Sequence, residues 1–224
     1  AKRKYKEWTQ RKMEVAKEKE SKWRVLTPTK AVSDGGDSLR IVKDGSLLAE
    51  GNSGDKSTYQ IEVSVPAGTY KSFQMETMLH KSMKQNGPGR NTTNANPNFV
   101  LTEMTIKLEG LSKPLDFGSV VADFNQAGFL PEQLFDGNLD TRNGWAISPE
   151  FGKAHWVQAE FSEPLLLSKG SKLHIEMKHL YGGGRNVGRP RFSLSTDGVK
   201  KGEAENKRLR ELLAKEKRNG KEEK

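Results

Sequence analysis

The sequence predicts a mainly-β protein, an antiparallel jelly-roll β-sandwich with a helical arm at each end. Two observations predict the sandwich. Short apolar or alternating runs recur from Trp23 to Ser195, and clusters of Gly, Pro, Asn and Asp separate them. A third predicts the arms: both ends of the chain are dense in charge and carry only thin apolar stripes. The expected division is an arm over 1–22, a β-sandwich binding module over 23–198 and an arm over 199–224.

From Lys2 to Lys22 there is no proline or glycine, and Tyr5, Trp8, Val15 and Trp23 fall loosely on one helical face. The run from Leu39 to Ala49 reads as two short strands around Asp44-Gly45, a strong hairpin signal. Tyr59–Val65 alternates cleanly until Pro66 and Gly68 end it. Further strands are expected at Ser72–Leu79, Phe99–Leu108, Trp156–Phe161, Lys172–Lys178 and Arg191–Ser195. A last helix is expected from Glu203 to Arg218, with Leu209, Leu212 and Leu213 at i, i+3, i+4 and a stop at Asn219-Gly220. Neither arm has enough apolar surface to stand alone, so the three leucines should meet Trp8, Val15 or the sandwich edge.

Charge distribution narrows the function. The net charge is +9, but residues 25–196 hold 18 Lys+Arg against 18 Asp+Glu, so the excess lies in the ends. Residues 1–24 carry 10 basic against 4 acidic side chains, and 197–224 carry 10 against 7. A nucleic-acid-binding fold would place its charge on the folded surface, so no nucleic-acid partner is expected. There is no cysteine, hence no disulfide, thiolate metal site or c-type haem attachment. No apolar run approaches the ~20 residues of a membrane span. The chain opens at Ala1 inside a charged pattern, which reads as a segment of something longer.

The most informative stretch is Leu134-Phe-Asp-Gly-Asn-Leu-Asp-Thr-Arg-Asn-Gly-Trp145, followed by His155-Trp-Val-Gln-Ala-Glu-Phe161. Asp136, Asn138, Asp140 and Thr141 supply hard oxygens within six residues, and Gly137 relaxes the backbone between them. An oxygen-rich loop closing onto a buried strand suggests a binding module. The same spacing also suits simple Asx turns.

For ligand contact the loops offer Arg90, Arg142, Trp145, His155, Tyr181, Arg185, Arg189 and Arg191. Aromatic faces can sit under the C–H surface of a sugar while arginine forks bind hydroxyl or acidic groups, so a polysaccharide, acidic and sulfated ones included, is the expected partner. The competing readings are core packing for Trp145 and a solvated hairpin for the arginines. Trp156 is read as core because it begins a buried-looking strand. Catalysis has thin support. His174 and His179 precede Tyr181 and Arg185, the residue types of a polysaccharide lyase, but five residues apart on one strand they face opposite sides.

Several motifs in order carry a family resemblance: Gly87-Pro-Gly-Arg90, Asn98-Phe-Val-Leu-Thr-Glu-Met-Thr-Ile106, Ala122-Asp-Phe-Asn-Gln126, Asp136-Gly137, Gly144-Trp-Ala-Ile147, Pro149, Phe151-Gly152, His155, Tyr181-Gly-Gly183 and Arg191-Phe-Ser-Leu194. Over Trp23 to Thr196 they resemble the β-sandwich insert of large planctomycete multidomain proteins. Those proteins combine the insert with cytochrome c and associated domains and are exported. The resemblance implies a periplasmic or cell-surface location, neighbouring domains of the parent chain as partners and haem chemistry outside this segment.

A more distant resemblance is to discoidin-like, galactose-binding sandwiches, in which an Asp-Gly-Asn loop precedes a Trp-Ile-Gln-Val strand. There a late strand gives a carboxylate to a structural calcium. The similar Leu101-Thr-Glu-Met-Thr-Ile106 precedes the loop here, as in a circular permutation. The resemblance implies a calcium shell drawn from Glu103, Asp136, Asn138, Asp140 and Thr141. The function expected is a noncatalytic carbohydrate-binding or adhesion module; the alternatives are an architectural domain that docks its neighbours, then a lyase.

Overall fold

Residues 23–91 and 96–199 are described by a computed structural model. The arms expected over 1–22 and 199–224, with the leucine contacts expected of them, lie outside the described residues apart from Val199. The strands are β1 (Trp23–Leu26), β2 (Pro28–Ser33), β3 (Asp37–Ile41), β4 (Leu47–Gly51), β5 (Ser57–Val65), β6 (Gly68–Thr77), β7 (Val100–Leu101), β8 (Glu103–Leu108), β9 (Phe117–Ala122), β10 (Trp145–Ala146), β11 (His155–Leu167), β12 (Ser171–His179) and β13 (Pro190–Ser195). Short 3-10 turns at Lys84–Asn86 and Pro131–Phe135 are the helical pieces among them. No helix among the described residues is long and apolar enough to cross a membrane.

Two antiparallel sheets form the sandwich, one ordered β1-β13-β6-β11-β9 and the other β2-β5-β12-β8. The chain crosses between them from β5 to β6, from β11 to β12 and from β12 to β13, and among the described residues the first strand pairs with the last. That winding is the jelly roll. Strand period selects the core. Tyr59, Ile61, Val63 and Val65 of β5 face inward with Leu173, Ile175 and Met177 of β12, and meet Phe73, Met75, Val157, Phe192 and Leu194 of the other sheet. Each such side chain contributes about 1.5–3 kcal/mol by leaving water.

The expected strands are all present, with moved ends. The Asp44-Gly45 hairpin joins β3 to β4, with Asp44 Oδ1 accepting from the Ser46 amide at 3.0 Å and Gly45 at φ 80°. β6 starts at Gly68 because the turn after Pro66 is tight, and β11 runs to Leu167 because its register shifts between Glu160 and Leu165, where Pro164 falls. Sequence reading missed β1, β2, β9 and β10. The first three lie on sheet edges, where Pro28 and Gly118 are tolerated and the apolar alternation is weak. β10 has two residues.

One end of the sandwich is stitched by a buried carboxylate. Asp37 Oδ1 accepts from Arg90, while Oδ2 accepts from Ser57 Oγ (3.0 Å), Ser33 Oγ (3.3 Å) and Asn186 Nδ2 (3.4 Å). The Asp37 side chain is fully covered and that of Arg90 is 13% exposed. Arg90 also donates to the Gly51 carbonyl and, through its amide, to that of Asn186 at 2.9 Å. The pair thus ties β3, β4 and the loops around residues 90 and 186 into one body.

Removing one partner leaves a buried charge uncompensated, so Arg90→Ala should lower stability by about 3–5 kcal/mol. Asp37→Asn with Arg90→Met should lose clearly less. Urea denaturation of the three proteins checks this; equal losses for the single and double variants would show that the charge pairing carries no weight.

Candidate functional site

The oxygen-rich loop is a ladder of Asx turns. Asp136 Oδ1 accepts from the Asn138 amide (2.8 Å), Asn138 Oδ1 from the Asp140 amide (3.0 Å) and Asp140 Oδ1 from the Arg142 amide (2.8 Å). Asn143 closes the ladder, its Nδ2 reaching Asp136 Oδ1 (3.0 Å) and the Asn138 carbonyl (3.0 Å). Gly144, at φ 119°, lets the loop pass so near β7 that a Cβ there would lie 2.1 Å from the Leu101 carbonyl oxygen.

Glu103 does meet this loop, as the permuted resemblance implied. Its Oε2 accepts from the Gly137 amide at 3.2 Å, and it is 7% exposed. Burial pushes its pKa up to about 7; the Asp136 charge adds to the rise, against the Gly137 hydrogen bond and Lys178. Asp136, Asn138 and Asp140 turn oxygens onto the loop's own amides, and Thr141 is exposed. Among the described residues no group of three or more His, Asp or Glu side chains is placed to hold a metal ion.

Two of the residues expected to touch ligand are interior. Trp145 is fully buried, donating from Nε1 to the Phe124 carbonyl at 2.8 Å with its ring edge-on to Phe99. It belongs to the core. His155 is 1% exposed, with Nε2 2.6 Å from the Glu150 carbonyl and Nδ1 3.1 Å from Asp123 Oδ2. Strand phase explains a further correction. Because His155 and Val157 point inward, Trp156 points outward and is half-buried rather than core.

The arginines part company as well. Arg90 is held by Asp37, Arg189 by Asp44 Oδ2 (2.7 Å) and the Leu79 carbonyl (2.9 Å), and Arg191 by both oxygens of Glu76 (2.7 and 2.9 Å). All three forks are engaged within the fold. Arg142 is exposed in the Asx loop. Arg185 differs: among the described residues it has no carboxylate partner, and its Nη1 donates to the Gly182 carbonyl at 3.1 Å. Its guanidinium lies 4.8 Å from the centroid of the Tyr181 ring.

Tyr181 is 40% exposed, and Phe129 leans against it at 6.0 Å between ring centroids. The platform is rigidly based. Gly182, Gly183 and Gly184 all take positive φ, and Asp55 accepts from the Gly183 amide at 2.7 Å. Only glycine turns the backbone this way three times at low cost. Phe129 was missed in the sequence; its place beside exposed Leu130 and before Pro131, in a loop, was the available sign.

His174 and His179 do not converge. His174 is exposed on the outer face of β12, while His179 is 1% exposed, donating from Nδ1 to the Ser57 carbonyl (3.0 Å) beneath Tyr59. Burial lowers the His179 pKa to about 4. It is neutral at pH 7, with Nε2 lacking a partner among the described residues.

The two shifts act in opposite directions. His179 binds its proton more weakly in the fold than the ordinary 6.5, so stability falls as pH drops from about 6.5 through 4, by roughly 3 kcal/mol. Glu103 binds its proton more tightly than the ordinary 4.5, so stability falls as pH rises from about 4.5 through 7. Melting curves of Glu103→Gln should therefore show a steeper loss on the acid side and a gain over wild type at pH 8. A loss of stability for Glu103→Gln at pH 8 that depends on added calcium would instead establish the metal site.

No protein-family model and no curated protein matches this sequence. Among solved structures, the native structure of a family 35 carbohydrate binding module from Clostridium thermocellum is similar at 15% identity and a TM-score of 0.29, covering 76% of this chain and 96% of that one. A likeness this distant carries no argument, and the fold rests on the strand order above.

Proposed function

We propose that this chain is a noncatalytic carbohydrate-binding module of a larger exported protein, which engages glycan at Tyr181 and Arg185. One observation carries the reading: an exposed tyrosine ring has a guanidinium over it that no carboxylate claims among the described residues, on a loop braced by three glycines and Asp55. A sugar ring gains from an aromatic face below its C–H groups, and the remaining N–H groups of Arg185 suit hydroxyl, carboxylate or sulfate oxygens. A fixed platform holds down the ordering cost of binding. The location that accompanies this reading is the periplasm or cell surface. The alternative is an architectural domain that docks neighbouring domains and binds no sugar.

A glycan array followed by calorimetry of each hit tests the proposal. Tyr181→Ala should abolish binding, and Arg185→Lys should weaken acidic-glycan binding by about tenfold, since lysine keeps the charge but loses the planar fork. Arg189→Lys, at a fork already held by Asp44, should leave the contact surface unchanged. An array without hits for the wild type, or Tyr181→Ala binding as well as wild type, favours the architectural reading.

A further inference from the structure

The outer face of β2-β5-β12-β8 holds a groove of about 250 Å³, crossed by Lys30, Glu62, His174 and Lys107 in register. The next rung carries Gln60 and Thr105 on either side of Glu176. The charges here fall into two groups. Glu62 lies 4.0 Å from Lys30 and 3.6 Å from Lys172, and Glu176 lies 3.1 Å from Lys178, so the two carboxylates of the groove lining already have ammonium partners. Lys107, His174, Gln60 and Thr105 have none: among the described residues none of these four side chains makes a hydrogen bond or ion pair.

We infer that this groove is a second saccharide site, selective for a uronate. Lys107 and His174 are cross-strand neighbours, at a spacing of about 4.5–5.5 Å between Cβ atoms, close enough to meet one carboxylate together. Gln60 and Thr105 offer an amide and a hydroxyl to the hydroxyls of the same ring. The lining contains no Phe, Tyr or Trp ring. Val32 is the exposed apolar side chain of the lining, since Ile61 and Ile175 turn into the core, and one is too few for a greasy ligand. The choice of a sugar acid over another small anion rests on the glycan reading above, but the site uses none of the residues of the Tyr181 platform.

Amide chemical-shift mapping with tetragalacturonate, and with its methyl ester as the neutral control, tests the groove. Shifts should cluster on β5, β8 and β12 with the acid and be absent with the ester. Lys107→Gln should weaken the response about tenfold or more, the worth of a hydrogen bond to a charged group. Lys43→Gln, removing an equal charge elsewhere, should not. Shifts confined to the Tyr181 and Arg185 loop, equal behaviour of the two lysine variants, or no response to the acid each overturn the groove. The platform stands or falls separately, on whether Tyr181→Ala removes array hits.

Discussion

The buried contact between Asp37 and Arg90 is the constraint on which one end of this molecule depends. A carboxylate with no solvent access must find its counter-charge and hydrogen bonds inside the protein, and Asp37 finds them on four separate segments through Arg90, Ser33, Ser57 and Asn186. Satisfying one charged group therefore fixes the relative position of β3, the start of β5 and the loops near residues 90 and 186. The loop carrying Tyr181 and Arg185 runs directly into Asn186. Its exposed platform inherits its rigidity from that buried carboxylate and from Asp55.

Carboxylate partners sort the surface chemistry. The arginines at 90, 189 and 191 occupy loop or strand-end positions, yet each is neutralised by an acid and works as a strut. Arg185 has an aromatic face instead, which leaves its charge available to a ligand. The same logic distinguishes Lys107 from Lys172 and Lys178 on the four-stranded sheet. In the proposed reading a recognition group differs from a structural group by what already touches it, not by residue type.

The Asx loop shows how local and tertiary terms combine. Its Asp and Asn side chains would form their turns in a short peptide, because donor and acceptor are two residues apart. The turns alone do not place the loop. Glu103 and the close passage of Gly144 past Leu101 set it against β7 and β8, and cover the Glu103 carboxyl enough to hold its proton near neutrality. His179, in the opposite sense, loses its proton to burial. The two titrations oppose each other across mildly acid pH.

The sequence by itself determined the β class, the Asp44-Gly45 hairpin, the cores of β5, β8, β12 and β13, and the split of His174 from His179, because period-two alternation and turn chemistry act within a few residues. It also determined that Asp136, Asn138 and Asp140 would serve either a cation or Asx turns. Tertiary structure decided the rest. It alone could pair Arg90, Arg189 and Arg191 with Asp37, Asp44 and Glu76, at separations of 53, 145 and 115 residues. It turned Trp145 and His155 inward and Trp156 outward, and brought Phe129 to Tyr181. Whether a side chain is spent or free depends on partners distant in the chain, and a one-dimensional pattern holds no record of them.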